Sequence, residues 1–187
     1  MSTNTPRTIR HGDCRVMPWK NGQGSTTELA IEPPGAALDG FDWRISIAEL
    51  RGSGPFSTFP GYDRTIVQLD GPPMSLTHGA SPPVALDQLV PHAFSGDDET
   101  ACEVDGVAHD FNLIVRRGVV RASITVHRLG EGEEVAFAGD GVTVLHVLEG
   151  GLETAADVRL SEGDTRVANS ATYRATGRSV VIAALLA

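Results

Sequence analysis

The sequence predicts an all-β protein, either a sandwich or a barrel. Two observations carry this. Short apolar runs with period-2 alternation recur along the chain, separated by Gly, Asp and Pro, and no segment shows a 3.6-residue period. At 187 residues there is chain enough for one good-sized domain or two small lobes sharing a core. No internal repeat and no linker stands out, so one compact unit is the default.

Residues 1–10 read as a loose tail running into a first strand at 9–17. Residues 18–28 form a glycine-bearing turn that feeds a strand at 26–32, ended by Glu32-Pro33-Pro34-Gly35. Gly22-Gln23-Gly24 has the G-x-G spacing but completes neither a dinucleotide nor a phosphate-loop pattern. A clear strand follows at 42–50. Trp43, Ile45 and Ile47 share its core-facing side, and Arg44, Ser46 and Ala48 face solvent or a polar cavity. Residues 54–64 hold two prolines, two glycines and three aromatics. Fixed φ and missing donors make this a stiff, shaped loop outside any sheet. It ends on Arg64, which opens a strand at 64–69.

A short strand is expected at 74–78, irregular chain around Pro82-Pro83, a short helix at 86–90 and a turn at 94–97. Strands then follow at 100–104, 110–116 and 119–129. In the second of these, Phe111, Leu113 and Val115 oppose Asp110, Asn112, Ile114 and Arg116. The remaining strands are at 133–137, 142–148, 152–160, 165–169, 172–176 and 179–185.

Composition narrows the function. A net charge of −9 opposes non-specific nucleic-acid binding, which needs clustered basic residues. No apolar run reaches the roughly 20 residues that a membrane span requires. Residues 1–13 are polar, so no secretion signal and a cytoplasmic location are expected. Cys14 and Cys102 then read as free thiols.

Six histidines are present, none at metal-ligand spacing, and no nucleophile elbow is visible. No metal, no cofactor and no catalytic residue are therefore assigned. His146, inside an apolar run, reads as a hydrogen-bonded core residue. His109 and Asp110 are strand neighbours and point to opposite faces. What remains is a set of polar groups near aromatics: Lys20, Asn21, Thr26, Glu28, Arg44, Ser46, Ser57, Arg64, Asn112 and Arg116. Each has a plain structural explanation. Asn21 and Ser57 could brace turns, Glu28 and Arg44 could pair across strands, and Arg64 could pair with a carboxylate. Together they fit a polar pocket in a barrel mouth better.

Five ordered motifs carry a family resemblance. Trp19-Lys20-Asn21-Gly22-Gln23-Gly24-Ser25-Thr26-Thr27-Glu28-Leu29 resembles the WKNGGGxTxE segment of the HutD/Ves family. Trp43-Arg44-Ile45-Ser46-Ile47-Ala48 resembles its WRISIA strand, and residues 54–64 resemble its GPFSxFPGxxR signature. Phe94-Ser95-Gly96-Asp97 and residues 105–118 are similar to its later motifs. The motifs cover roughly residues 14–118. Gln23 departs by standing where the family usually has glycine, which adds a side chain to a tight turn.

The resemblance implies a cupin-type, RmlC-like jelly-roll β-barrel, a bicupin with lobes at about 10–117 and 118–187. It also implies a link to histidine utilisation, with a regulatory role through binding formylglutamate or urocanate. Metal cupins carry His-x-His, a later glutamate and a histidine after a Gly-Asp turn. Gly163-Asp164 is such a turn, yet no histidine follows it.

The sequence therefore reads as a metal-free cytoplasmic cupin that binds a small carboxylate metabolite. Arg64 is the carboxylate anchor, Phe56 and Phe59 form the apolar wall, and Lys20, Asn21, Thr26 and Arg44 are secondary contacts. Its partners are the metabolite and, allowed for, a second copy in a homodimer, with no nucleic acid and no membrane. The rival is a metal-independent isomerase or hydrolase acting on a related acid, for which His109 and Glu28 are the candidate bases.

Overall fold

A computed structural model describes residues 5–38 and 40–187. The described residues form nineteen strands and one 3-10 turn, His11–Asp13. In chain order the strands begin with β1 (Arg7–Ile9), β2 (Arg15–Pro18), β3 (Gly24–Glu32), β4 (Trp43–Leu50), β5 (Gly54–Pro55) and β6 (Tyr62–Asp70). Then come β7 (Met74–His78), β8 (Val84–Leu86), β9 (His92–Ser95), β10 (Thr100–Val104) and β11 (Ala108–Arg116). After these lie β12 (Ala122–Leu129), β13 (Glu134–Phe137), β14 (Val142–Glu149) and β15 (Gly151–Glu153). The last are β16 (Arg159–Ser161), β17 (Thr165–Ala168), β18 (Ala171–Ala175) and β19 (Ser179–Leu186).

The chain separates into two units. The first is Arg15–Val120; the second is Arg121–Ala187 together with residues 5–14. Each holds two antiparallel sheets. In the first unit a six-stranded sheet runs β2-β3-β4-β11-β6-β9 and a four-stranded one runs β5-β10-β7-β8. In the second the orders are β1-β17-β14-β19-β12 and β13-β18-β15-β16.

Several local expectations are corrected. The single strand at 9–17 is two strands split by the 3-10 turn, and they belong to different units. No helix forms at 86–90; β8 ends at Leu86, and Leu89 takes a left-handed φ of 63°. The run at 152–160 is a hairpin, β15 and β16. The loop at 54–64 is not wholly outside the sheets, because Gly54 and Pro55 pair with Cys102 and Ala101. Gly22, not Gln23, adopts the positive φ of the turn at 19–24, so the glutamine side chain is accommodated without strain.

The core of the first unit shows why a cavity forms there. On β11, Ala108, Asp110, Asn112 and Ile114 share one face. Ala108 joins Ala48, Leu50, Ile66, Met74, Leu76, Leu86, Cys102 and Val104 in one apolar cluster drawn from both sheets. Ile114 joins Ile31, Phe41 and Tyr62 in another. Between the two clusters the same face carries Asp110 and Asn112, with Ser46 opposite Asn112 and Arg44 opposite Ile114 on β4. Arg44 and Ser46 are both buried, while Ile47 on the other face is only half-buried. A polar row thus interrupts the interior. Among the described residues of the second unit, Val135, Phe137, Leu145, Val147, Leu152, Leu160, Tyr173 and Val181 fill the interior, with His127 set against Phe137.

Leu76 is fully buried in the cluster that backs the cavity. Leu76→Ala should cost about 2–5 kcal/mol through lost burial and the void left behind. Urea unfolding checks this as a lower midpoint at an unchanged m-value.

Candidate functional site

The polar row opens into a cavity of about 520 Å³ within the first unit, a volume suited to a small metabolite. All seven residues expected at a ligand site line it: Lys20, Asn21, Thr26, Arg44, Phe56, Phe59 and Arg64. They come from β3, β4, β6 and two loops. A larger depression of about 670 Å³ in the second unit is different in kind. Its charged lining residues, Glu131, Glu153, Arg159 and Arg174, all reach solvent, and its three buried lining residues are apolar.

Arg64 is 5% exposed and sits where β6 enters the cavity, opposite Ile114. Its Nη1 donates to the Ser57 carbonyl at 3.0 Å, and its Nε is buried with no hydrogen-bond partner. No carboxylate lies within ion-pair distance among the described residues, so the simple structural pairing does not occur. The guanidinium is instead surrounded by rings, 5.4 Å from the centroids of Phe56 and Phe59 and 4.8 Å from Phe94. Burial lowers its pKa to about 10, with the Asp110 charge acting the other way, so it keeps its charge at neutral pH.

The sequence motifs explain how this cage is held. Phe56 N–H donates to the Thr100 carbonyl (2.8 Å) and Phe59 N–H to the Gly96 carbonyl (2.7 Å). Gly96 N–H returns a bond to Tyr62 (2.8 Å), and a Cβ on Gly96 would lie 2.5 Å from the Phe59 carbonyl. Asp97 accepts from Gly61 N–H and from Arg117, both at 2.7 Å. The Phe-Ser-Gly-Asp segment is therefore the seat on which the aromatic loop is clamped. Phe94 is backed by His78 at 4.8 Å, and His78 meets His92 through their Nε2 atoms at 3.0 Å.

The other walls are partly committed elsewhere. Arg44 Nε donates to Glu28 Oε2 at 2.9 Å. A bulge in β3 between Glu28 and Ala30 accompanies that reach. Thr26 accepts from the Trp19 indole N–H (2.9 Å), and Asn21 braces its turn by accepting from Gln23 N–H (3.1 Å). Lys20 stands exposed at the rim. Of the two candidate bases, Glu28 is held by Arg44. His109 points away from the cavity, 2.7 Å from Asp70 and 3.7 Å from Glu49.

Asp110 is the site residue that sequence reasoning missed. It is 1% exposed, it lines the cavity, and neither carboxyl oxygen has a hydrogen-bond partner. Burial pushes its pKa up to about 7, against the pull of Arg64, Asn112 and His109. The available signal is the alternation of β11, which puts Asp110 on the same face as Asn112 and Ile114. Cys102, also buried, has its thiol pushed up to about 12 by burial first and Asp110 second. Among the described residues no three His, Cys, Asp or Glu side chains gather as a metal site, and no helix is long and apolar enough to cross a membrane.

The family model described as HutD matches residues 11–183. An uncharacterised 21.2 kDa protein in the hutC 3′ region of Pseudomonas putida is 45% identical over 107 residues, 57% of this chain and 56% of that protein. The chain thus spans just over half the length of that relative. A solved protein of unknown function from Pseudomonas aeruginosa PAO1 is 34% identical at a TM-score of 0.88, covering 97% of this chain and 98% of the other. HutD from Pseudomonas fluorescens SBW25 is 29% identical at 0.78, covering 98% and 100%. Oxalate decarboxylase from Lactobacillus farciminis, at 7% identity, superposes with a TM-score of 0.72 over 99% and 87%, which makes the fold cupin-like.

The raised pKa of Asp110 has a stability consequence. Between the unfolded carboxyl value of about 4 and about 7, the folded chain holds a proton that the unfolded chain has lost. This group therefore weakens folding as pH rises through that window. Asp110→Asn should melt higher than the parent, with a gap that opens between about pH 4 and about pH 7 and stays constant above. Parallel thermal melts across that range check the sign.

Proposed function

The chain belongs to the HutD family, cupin-like proteins linked to histidine utilisation, and on that footing we propose that its first unit binds a small carboxylate metabolite. The ligand is of the formylglutamate or urocanate type, the binding needs no metal, and the role is regulatory. One observation carries this reading: a buried guanidinium, caged by rings and with an unpartnered Nε, lines a cavity of metabolite size. A carboxylate supplies the acceptor oxygens that such a group lacks, in a setting where charge-assisted bonds are strong. The HutD structure from Pseudomonas fluorescens is described in a formate condition, and formate is the smallest carboxylate. We read each unit as one jelly-roll barrel, hence a bicupin, a reading supported by the paired sheets in each and by the cupin-like likeness.

A second reading, a metal-independent isomerase or hydrolase acting on a related acid, gains one observation. Asp110 is a carboxyl with a pKa near 7 in the same cavity, the property a general base needs. Proton NMR of N-formylglutamate and urocanate incubated with the protein separates the two: unchanged spectra favour binding, and new resonances favour catalysis.

Calorimetric titration with N-formylglutamate, urocanate and formate tests the binding reading. Arg64→Ala should lower affinity at least about tenfold, the loss of one charge-assisted contact. Arg64→Lys should recover only part, because an ammonium does not reproduce the fork. Unchanged affinity in a well-folded Arg64→Ala protein would rule out the anchor.

A further inference from the structure

The carboxylate-binding reading leaves one buried group unused. Asp110 lies in the cavity floor on β11, with both oxygens buried and unpartnered, and is the only acid among the described residues lining the cavity. Asn112, two residues along on the same face, has its Oδ1 in the same condition. The Nε of Arg64 is the complementary unpartnered donor. A carboxylate ligand drawn to Arg64 therefore enters a dry space that already contains a carboxyl group.

The charged and titratable groups around Asp110 decide which form it takes. Arg64 acts from β6, and its charge is the main influence holding the Asp110 pKa down against burial. His109 itself faces the other side of the sheet with Asp70 and Glu49. Arg44 on β4 is held by Glu28 of β3, and Lys20 is out at the rim. From β10, the Cys102 thiol stays uncharged. Gln68, opposite Asp110 on β6, has spent its amide on the carbonyls of Asp70 and Pro72. One buried guanidinium thus serves two carboxyl groups once a ligand arrives. Two carboxylates sharing a dry site do not both stay ionised.

We propose that the cavity captures a carboxylate together with a proton. Asp110 in its acid form donates its O–H to the ligand carboxylate held by Arg64, and the proton comes from solution. The ligand stays an anion, Arg64 stays a cation and Asp110 is neutral, so the filled site is balanced. The buried Nε of Arg64 and the Asp110 carboxyl both gain partners from one ligand group, since a carboxylate accepts several bonds. The proposal rests on the carboxylate reading, and its consequence is regulatory: occupancy depends on pH as well as on metabolite level. The ordinary titration range of Asp110, shifted to about 7, places that dependence near neutrality.

The test is calorimetric titration of the full chain with N-formylglutamate from about pH 6 to about pH 8.5, where the ligand carboxyls stay ionised. Each titration is run in two buffers of different ionisation heat. Affinity should fall toward about tenfold per pH unit above pH 7, and near pH 8 binding should take up close to one proton. Asp110→Asn, whose amide donates at any pH, should bind with neither the pH slope nor the proton uptake. Saturable binding by the wild-type chain with no slope and no proton uptake would overturn the proposal while leaving the anion pocket intact. So would a slope that persists in Asp110→Asn. No saturable binding at any pH would remove the pocket reading and this one with it. Absent proton uptake in the wild-type chain overturns the proposal even if Asp110→Asn does not fold, and Asp110→Glu, which keeps the titrating carboxyl, should then retain both slope and uptake.

Discussion

A permanent positive charge taken out of water sets the terms for the whole first unit. Arg64 gives up hydration for one carbonyl bond and three ring faces. Ring faces attract a desolvated cation by about 2 kcal/mol or more in good geometries, but they do not replace a full shell of acceptors. The site therefore stores an unmet demand for acceptors. Holding that demand in place requires rigid neighbours. The proline-bearing loop, its seat on Gly96 and the Asp97 clamp supply the rigidity. A looser loop would let the arginine swing out to water, and the demand would vanish with it.

Much of this was legible in the sequence, for definite reasons. Alternation in Asp42 to Leu50 and Asp110 to Arg116 assigned the faces of β4 and β11, because a strand has no freedom to choose its period. The aromatic loop and its closing arginine were legible because proline and glycine restrict the chain locally. Illegible features depended on pairing between distant segments. Whether Arg44 and Ser46 meet water or a cavity depends on the second sheet of the unit, which residues 43–50 do not encode. The strand β5 is two residues long and exists only because Cys102 and Ala101 accept it. Asp110 reads as an ordinary strand acid until its surroundings are known. The helix expected at 86–90 does not form because β8 runs to Leu86 and the backbone turns left-handed at Leu89.

The two units differ in how their interiors are filled. Both pair a larger sheet with a four-stranded one. In the second, buried Leu145, Val147, Val181 and Ala183 belong to one apolar cluster. His146 on the neighbouring strand position is buried too, yet it is hydrogen-bonded to Thr165 and pushed by burial to a pKa of about 4, so it stays neutral. In the first, two polar positions on β11 and two on β4 are enough to keep the interior from closing. A difference of a few side chains on one sheet face separates a filled core from an open cavity.

Strand β1 adds a constraint of a different kind. Arg7, Thr8 and Ile9 pair with Val167, Arg166 and Thr165, and the Arg166 guanidinium donates to Thr8 across 158 positions of chain. On a ribosome the first of these partners emerges long before the second. Until that meeting, the free edge of β17 is an open row of amides and carbonyls of the sort that recruits other chains. Closure over so long a loop is entropically slow relative to local hairpins. Strand β1 therefore waits for β17, and this edge of the second unit closes only when both segments have been made.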